Sequence, residues 1–281
     1  MMSSHVVIYH AGCPDGFTAA WVVWENLYGN DAEYMPAKYG DAPPDVTGRT
    51  VLIVDFSYSR DVLLKMHTEA KSLLVLDHHK GAREALEGLP FCTFDMARSG
   101  AGMAWDHIRG KKDRPWLVNY VEDRDLWRWA LDDSKAVNAW VGIQDFHDDS
   151  TDHLPTHAFC NWSRMLAAGS GVAKRNGKPI LRFQAQYVAN MVRQAQRVSF
   201  GGFDNIPLVN CTRPLIDEVL NKLAETSFLA IGWSQEADGR FRYSLRSSKE
   251  NGNVDVSYLA QAHGGSGHQN AAGFTLDKLL F

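Results

Sequence analysis

Long apolar runs are missing from this chain, and so is a strong excess of charge of one sign. No uninterrupted apolar stretch approaches the roughly 18 residues that a bilayer span requires, and the N-terminus MMSSHVVIYH has neither the basic start nor the small-residue cleavage site of a secretory leader. The chain is therefore expected to be intracellular and cytoplasmic, without membrane partners. Cysteine is scarce: Cys13, Cys92, Cys160 and Cys211 lie far apart and form no CxxC pair. That spacing argues against a disulfide framework and against a structural zinc knuckle. A formal net charge of −4 argues against a protein that coats duplex nucleic acid, because that mode of binding neutralises many phosphates with Lys and Arg.

What is present is an ordered globular composition of 281 residues, 45% hydrophobic and only 22% charged, enough to bury one large core or two modest ones. Over the first 110 residues, strand-like runs alternate with helical stretches: HVVIYH (5–10), a helix from about Gly16 to Leu27, TVLIVDF (50–56), a helix near Arg60–Ala70, and SLLVLDHH (72–79). Such alternation predicts a parallel α/β sheet. The runs are apolar throughout, as expected where helices cover both faces. Helical patterns follow over Gly100–Arg109, with Ser99 as its N-cap, and over Pro115–Glu122.

Charge is segregated along the chain. Glu122 to Asp152 is rich in Asp, whereas Asn161 to Phe200 holds seven basic residues (Arg164, Lys174, Arg175, Lys178, Arg182, Arg193, Arg197) and no acidic one. Within the basic stretch, GSG (169–171) and NGKP (176–179) read as turns ahead of a helix over about Ile180–Val198. IPLVN (206–210), FLAIGW (228–233) and FRYSLRS (241–247) then read as strands of a smaller α/β domain, with a helix over 255–262. The expected organisation is an N-terminal domain over residues 1–160, a basic helical linker over 161–202 and a smaller C-terminal domain over 203–281, and the motifs below imply catalysis in the first and substrate binding in the last.

Three predicted strands end in metal-ligand residue types: HAGCPDG (10–16), Asp55, and Asp77-His78-His79. In a parallel sheet the carboxyl ends of the strands share one edge, where ligands bind in open α/β folds. Singly, Asp15 reads as a helix N-cap, Asp55 as a turn residue and each His as a polar surface group. Together they crowd carboxylates at one edge, which is costly without a cation. Carboxylates with imidazoles suit Mn²⁺ or Mg²⁺, with Zn²⁺ or Co²⁺ also compatible.

The set His10…Asp15-Gly, Asp55, Asp77-His78-His79 and Asp123-Arg-Asp125 resembles the four motifs of the DHH phosphoesterase superfamily, and GGSGHQNAAGF (264–274) resembles the glycine-rich motif of its associated C-terminal domain. The resemblance covers both ends of the chain in the right order. It implies two divalent ions, Mn²⁺ foremost, held by His10, Asp15, Asp55, His78 and the Asp of the fourth motif, with Asp55 bridging. That last ligand is placed at Asp123, with Asp125 as the alternative. Asp77 and His79 would orient ligands or touch the substrate. Cys13 stands where many relatives carry Asp, and is either a thiolate ligand, a gap filled by water, or a small buried thiol.

In the glycine-rich segment, Gly264, Gly265 and Gly267 admit close backbone approach to an anion, and Gln269–Ala272 is read as opening a helix. The resemblance adds His268 and the Arg246-Ser247 pair of the SLRS run as phosphate contacts. Trp162, Phe183 and Tyr187 are read either as stacking partners for bases or as core residues. The expected activity is hydrolysis of short single-stranded oligonucleotides or dinucleotides to mononucleotides. The alternatives are a phosphatase acting on 3′-phosphoadenosine phosphate, a cyclic-dinucleotide phosphodiesterase, or a silent nucleotide-binding sensor, and a homodimer is compatible with all of them.

Overall fold

A computed structural model describes residues 3–144 and 156–281 of the chain. It divides into two compact units, Met1–Leu181 and Arg182–Phe281. In the first, β1 (His5–His10), α1 (Pro14–Val23), β2 (Ala32–Ala37), β3 (Thr50–Val54), α2 (Arg60–Glu69), β4 (Ser72–Asp77), α3 (Lys80–Ala85) and β5 (Cys92–Phe94) follow in turn. The strands form an all-parallel sheet of order β2-β1-β3-β4-β5. The order reverses direction between β1 and β3, the switch point at which doubly wound sheets open a ligand crevice.

The continuous apolar runs have a direct cause in the packing. On β1 and β3, Val7, Tyr9, Leu52 and Val54 point into one core, and their chain neighbours Val6, Ile8, Val51 and Ile53 point into a second core on the opposite face. Both faces are dry, so both alternating sets are apolar, each buried side chain contributing about 1.5–3 kcal/mol. The first core is closed by α4 (Gly100–Arg109), α5 (Trp116–Asp125), α6 (Ser134–Val141) and α7 (Thr156–Ala168). Ser99 caps α4 as expected, its Oγ accepting from the Gly102 N–H at 3.2 Å.

Several expectations change. The first helix ends at Val23 and continues as a π-turn over Trp24–Tyr28. Strands β2 and β5 had no clear sequence signal: β2 is an edge strand that tolerates Pro36, and β5 has three residues. The Asn176–Pro179 turn is absent, because these residues lie inside the long α8 (Ser170–Arg193). A Cβ on Gly177 would lie 1.7 Å from the Ala136 carbonyl oxygen, so this glycine serves close packing against α6. Gly169, at φ +83°, does separate α7 from α8.

Of the basic stretch, α7 and the first half of α8 lie in the first unit and the second half of α8 in the second. Trp162 is fully buried, 4.8 Å from Phe17 between ring centroids, and its Nε1–H donates to Thr18. It is a core residue and is unavailable to stack bases. Lys174 and Lys178 pair with Asp132 and Asp133, so part of the charge segregation read along the chain is cancelled across helices. Residues 145–152 of the Asp-rich stretch lie outside the described residues.

The second unit holds β6 (Gln196–Phe200), β7 (Phe203–Asn210), α9 (Ile216–Ala224), β8 (Leu229–Gln235), β9 (Phe241–Ser247), α10 (Val256–Gln261), β10 (Ser266–His268) and β11 (Ala271–Leu276). Its sheet runs β10-β11-β9-β8-β7-β6, antiparallel except where β7 meets β8. The smaller α/β domain is thus present, but the helix expected at Gln269–Ala272 is instead the turn and start of a β10–β11 hairpin.

The packing of α8 against α6 predicts that Gly177→Ala costs about 1–3 kcal/mol by overpacking, lowering Tm by roughly 2–10 °C in a thermal melt. An unchanged Tm would contradict the close contact.

Candidate metal centre

Parallel register brings the carboxyl ends of β1, β3 and β4 side by side. His10 ends β1, Asp55 follows β3, and Asp77-His78-His79 ends and follows β4. Asp55 adopts φ +57°, a left-handed conformation that Asp tolerates better than most residues, and its N–H still donates to the Leu76 carbonyl at 2.9 Å. A Cβ on Gly100 would lie 2.3 Å from the Asp55 Cβ. Glycine at the start of α4 therefore lets that helix end approach the cluster.

Asp15, 1% exposed, reaches from α1 to the first turn of α4, where its carboxylate accepts from the Gly100 and Ala101 N–H groups at 2.5 and 3.1 Å. The unpaired amides and the dipole at a helix start favour such a carboxylate. Nothing local in the sequence hints at this pairing, whose partners are 85 and 86 residues apart. Asp77 is fully buried and acts as an organiser: its Oδ1 accepts from the His78 N–H, the His79 N–H and His79 Nδ1 at 2.7, 3.2 and 2.7 Å, and its Oδ2 from the Ser57 hydroxyl. Ser57 was not foreseen, although its place two residues beyond Asp55 is a hint.

Among the described residues three overlapping groups of ligand atoms result. They are His10, Cys13 and Asp55; Asp55, His78 and His79; and Asp15, His78 and Asp125; within each, the potential ligand atoms lie within 4.8 Å of one another. Asp55 joins them, its Oδ1 3.0 Å from His78 Nε2 and its Oδ2 3.6 Å from His10 Nδ1. Nε2 of His78 also faces Asp125 at 3.5 Å and Asp15 at 3.8 Å. One imidazole N–H cannot serve three carboxylates. His10 Nδ1 and Asp55 Oδ2 are buried without a hydrogen-bond partner, which is costly unless something else engages them. Orphaned donor atoms, hard carboxylates and imidazoles fit a pair of divalent cations sharing Asp55.

Of the two candidates for the fourth motif, the structure brings Asp125 to the cluster and not Asp123. Asp123 is spent on the protein itself: its carboxylate accepts from the Ala130 N–H, the Leu131 N–H and the Ser134 hydroxyl. Asp125, the last residue of α5, with its side chain 23% exposed, meets His78 instead. Tyr39, also not foreseen, lies with its ring centroid 5.7 Å from His10 and 6.1 Å from His79.

The electrostatics match this crowding. Burial, then Asp55 and Asp125, push the Asp15 carboxyl well above its ordinary value. Burial with the help of Asp55 raises Asp125 although His78 opposes it. Burial followed by Asp55, Asp125 and Asp15 lifts the Cys13 thiol, so a thiolate there needs a cation beside it. For His78 the burial that disfavours charge is outweighed by Asp55, Asp125 and Asp15, and its pKa rises to about 10. His79 likewise rises against burial, through Asp77 and Asp55.

The residues carried over for substrate binding lie in the second unit. Arg246 on β9 donates to Asp217 and to the Leu245 carbonyl. The Ser247 hydroxyl donates to the Val254 carbonyl and accepts from Asn270, so it is committed within its own unit. Gly264 has φ +76°, and Cβ atoms on Gly265 and Gly267 would collide with Gly273 and Ala272 of β11. These glycines are required by the hairpin itself, and His268 ends β10 on the exposed side.

No family model matches the chain. It aligns with an uncharacterised protein, R106, of Acanthamoeba polyphaga mimivirus at 26% identity, over 98% of this chain and 68% of the viral one. Among solved structures it is similar to the exonuclease RecJ bound to manganese (TM-score 0.58, 15% identity, 97% of this chain and 86% of that one). The pGpG-specific phosphodiesterase PggH of Vibrio cholerae gives 0.53 at 14% identity, over 97% and 92%. A DHH domain from a member of a family of ribosomal proteins gives 0.56 at 12%, over 97% and 83%. The DHH resemblance read from the motifs therefore holds at the level of the fold.

The centre makes two outcomes measurable. Asp125→Ala should weaken Mn²⁺ binding by at least about tenfold in calorimetry, whereas Asp123→Ala should lower stability by about 1.5–3 kcal/mol through lost hydrogen bonds to a buried carboxylate; the opposite pattern would restore Asp123 as ligand. Cation uptake must also expel the His78 proton, held up to about pH 10, along with any on Asp15 and Asp125. Apparent affinity should thus rise with pH across the neutral range, with proton release seen as buffer-dependent heats; pH-independent binding without proton release would contradict this electrostatic account.

Proposed function

We propose that this chain of DHH-type fold is a phosphodiesterase that hydrolyses short single-stranded oligonucleotides or dinucleotides to mononucleotides with two divalent ions, Mn²⁺ foremost. The observation that carries the proposal is the set of overlapping ligand groups gathered around Asp55 and His78. The likeness to a phosphodiesterase of pGpG and to a manganese-bound exonuclease supports it.

A divalent pair supplies Lewis-acid charge for the phosphoryl oxygens and lowers the pKa of an attacking water. The chain's own residues do the rest. His10, Asp15, Asp55, His78 and Asp125, with Cys13 beside them, would hold the cations; the Gly100 and Ala101 amides keep Asp15 aimed; Gly100 keeps α4 close. Asp77 locks His79 by accepting from Nδ1, so proton exchange with the leaving oxygen falls to Nε2. Asp77 and Asp55 raise the His79 pKa against burial, which favours the protonated form that a general acid requires. In the second unit, Arg246, His268 and the Gly264–Gly267 backbone are assigned to the substrate's phosphate, where a guanidinium supplies bidentate donors. The protein is assigned to the cytoplasm; among the described residues no helix is long and apolar enough to cross a membrane.

The test is a labelled pentanucleotide incubated with Mn²⁺, beside pGpG, a cyclic dinucleotide, 3′-phosphoadenosine phosphate and pyrophosphate. Stepwise release of mononucleotides, abolished by chelation and by Asp55→Ala and reduced about 10–100-fold by Asp77→Asn, is the expected result. Binding without turnover would identify a sensor, and turnover of 3′-phosphoadenosine phosphate alone a phosphatase.

A further inference from the structure

Beyond Asp125 the first unit leaves α5 and reaches α6 through residues 126–133, a connection more constrained than its exposure requires. Trp127 and Trp129 have φ +54° and +52°, a left-handed conformation that bulky side chains rarely adopt and that persists only where surrounding structure enforces it. The enforcement is visible. The Asp123 carbonyl accepts from the Arg128 N–H at 2.8 Å, and its buried carboxylate takes the Ala130 and Leu131 N–H groups and the Ser134 hydroxyl. The Arg128 guanidinium is pinned to the Ala97 carbonyl at 2.6 Å and to Glu122 at 3.4 Å.

This bracing serves no core. Among the described residues, neither indole packs into a hydrophobic core cluster. Trp129 instead meets Trp127 edge to face, with centroids 5.0 Å apart, and has the Lys135 ammonium 5.7 Å from its own centroid. Trp127 remains 44% exposed. Its N–H donates to the Arg124 carbonyl at 2.8 Å, and two virtual bonds put its Cα within about 7.6 Å of the Asp125 Cα. A strained, braced and exposed aromatic residue thus follows Asp125 by two positions.

We propose that Trp127, buttressed by Trp129 and positioned by Asp123, is a stacking platform for a nucleobase of the substrate whose phosphate is held at the metal centre. The inference rests on the nucleotide reading above and adds the residue that recognises the base. Aromatic platforms accept any base because every base has a π face, so the contact favours nucleotides over other phosphodiesters without selecting a sequence.

The test compares wild type, Trp127→Ala and Trp127→Phe in Mn²⁺, on a dinucleotide and on the same sugar–phosphate skeleton with abasic sites. Trp127→Ala should raise KM for the dinucleotide roughly tenfold, the loss of one base stack, with kcat changed less than about twofold. The abasic compound should show no such change, and Trp127→Phe should recover most of the loss. An unchanged dinucleotide KM, an equal rise for the abasic compound, or a Phe variant no better than Ala would overturn the platform. If wild type cleaves neither compound, the phosphodiesterase reading fails, and the platform is judged by binding of a fluorescent dinucleotide to wild type and Trp127→Ala: equal affinity would overturn it, and weaker binding to the variant would sustain it.

Discussion

Crowding carboxylates into the dry edge of a sheet is unfavourable unless positive charge meets them. Asp15, Asp55 and Asp125 surround the single Nε2 of His78, and much of the first unit is arranged around that concentration of charge. The backbone amides of α4 take Asp15, His78 and His10 face Asp55, and Asp77 holds both histidine backbones in place. Each device lowers the cost locally, yet His10 Nδ1 and Asp55 Oδ2 keep no hydrogen-bond partner. The ligand groups could hold divalent metal ions, whose charge would complement this arrangement.

The same constraint explains glycines that local reading assigns to turns or helix starts. Gly100 has no room for a side chain because Asp55 occupies the space, and Gly102 none because Glu122 does. Glu122 in turn gathers Arg98, Arg114 and Arg128, so the start of α4 and the end of α5 are tied by a largely buried charge network behind the centre. Removing one member of such a network leaves the others unpaired, which costs more than the pair contributes. Arg128 also ties the Trp127 loop to this network.

In the second unit, the glycine-rich segment illustrates how one pattern admits two physical causes. Closely spaced glycines suit both an anion cradle and a tight hairpin, and Gly265 and Gly267 are demanded by β11 whatever else they do. Ser247 is likewise occupied by Val254 and Asn270. Arg246 is engaged as well, by Asp217 and the Leu245 carbonyl.

Strand ends were readable from sequence alone, because apolar runs report burial on both faces and the polar residue that ends each run falls at the same edge of a parallel sheet. His10, Asp55 and the Asp77-His78-His79 triplet could be placed together on that ground. The choice between Asp123 and Asp125 could not. Two residues apart on an α-helix lie about 200° apart around its axis, so one of them faces the centre and the other faces away. Which one does so depends on how α5 is rotated by its packing on the core. Gly177, Trp162 and the grip of α4 on Asp15 belong to the same class. Their roles are set by partners distant in the chain, and local pattern carries no information about a neighbour that only the folded chain brings near.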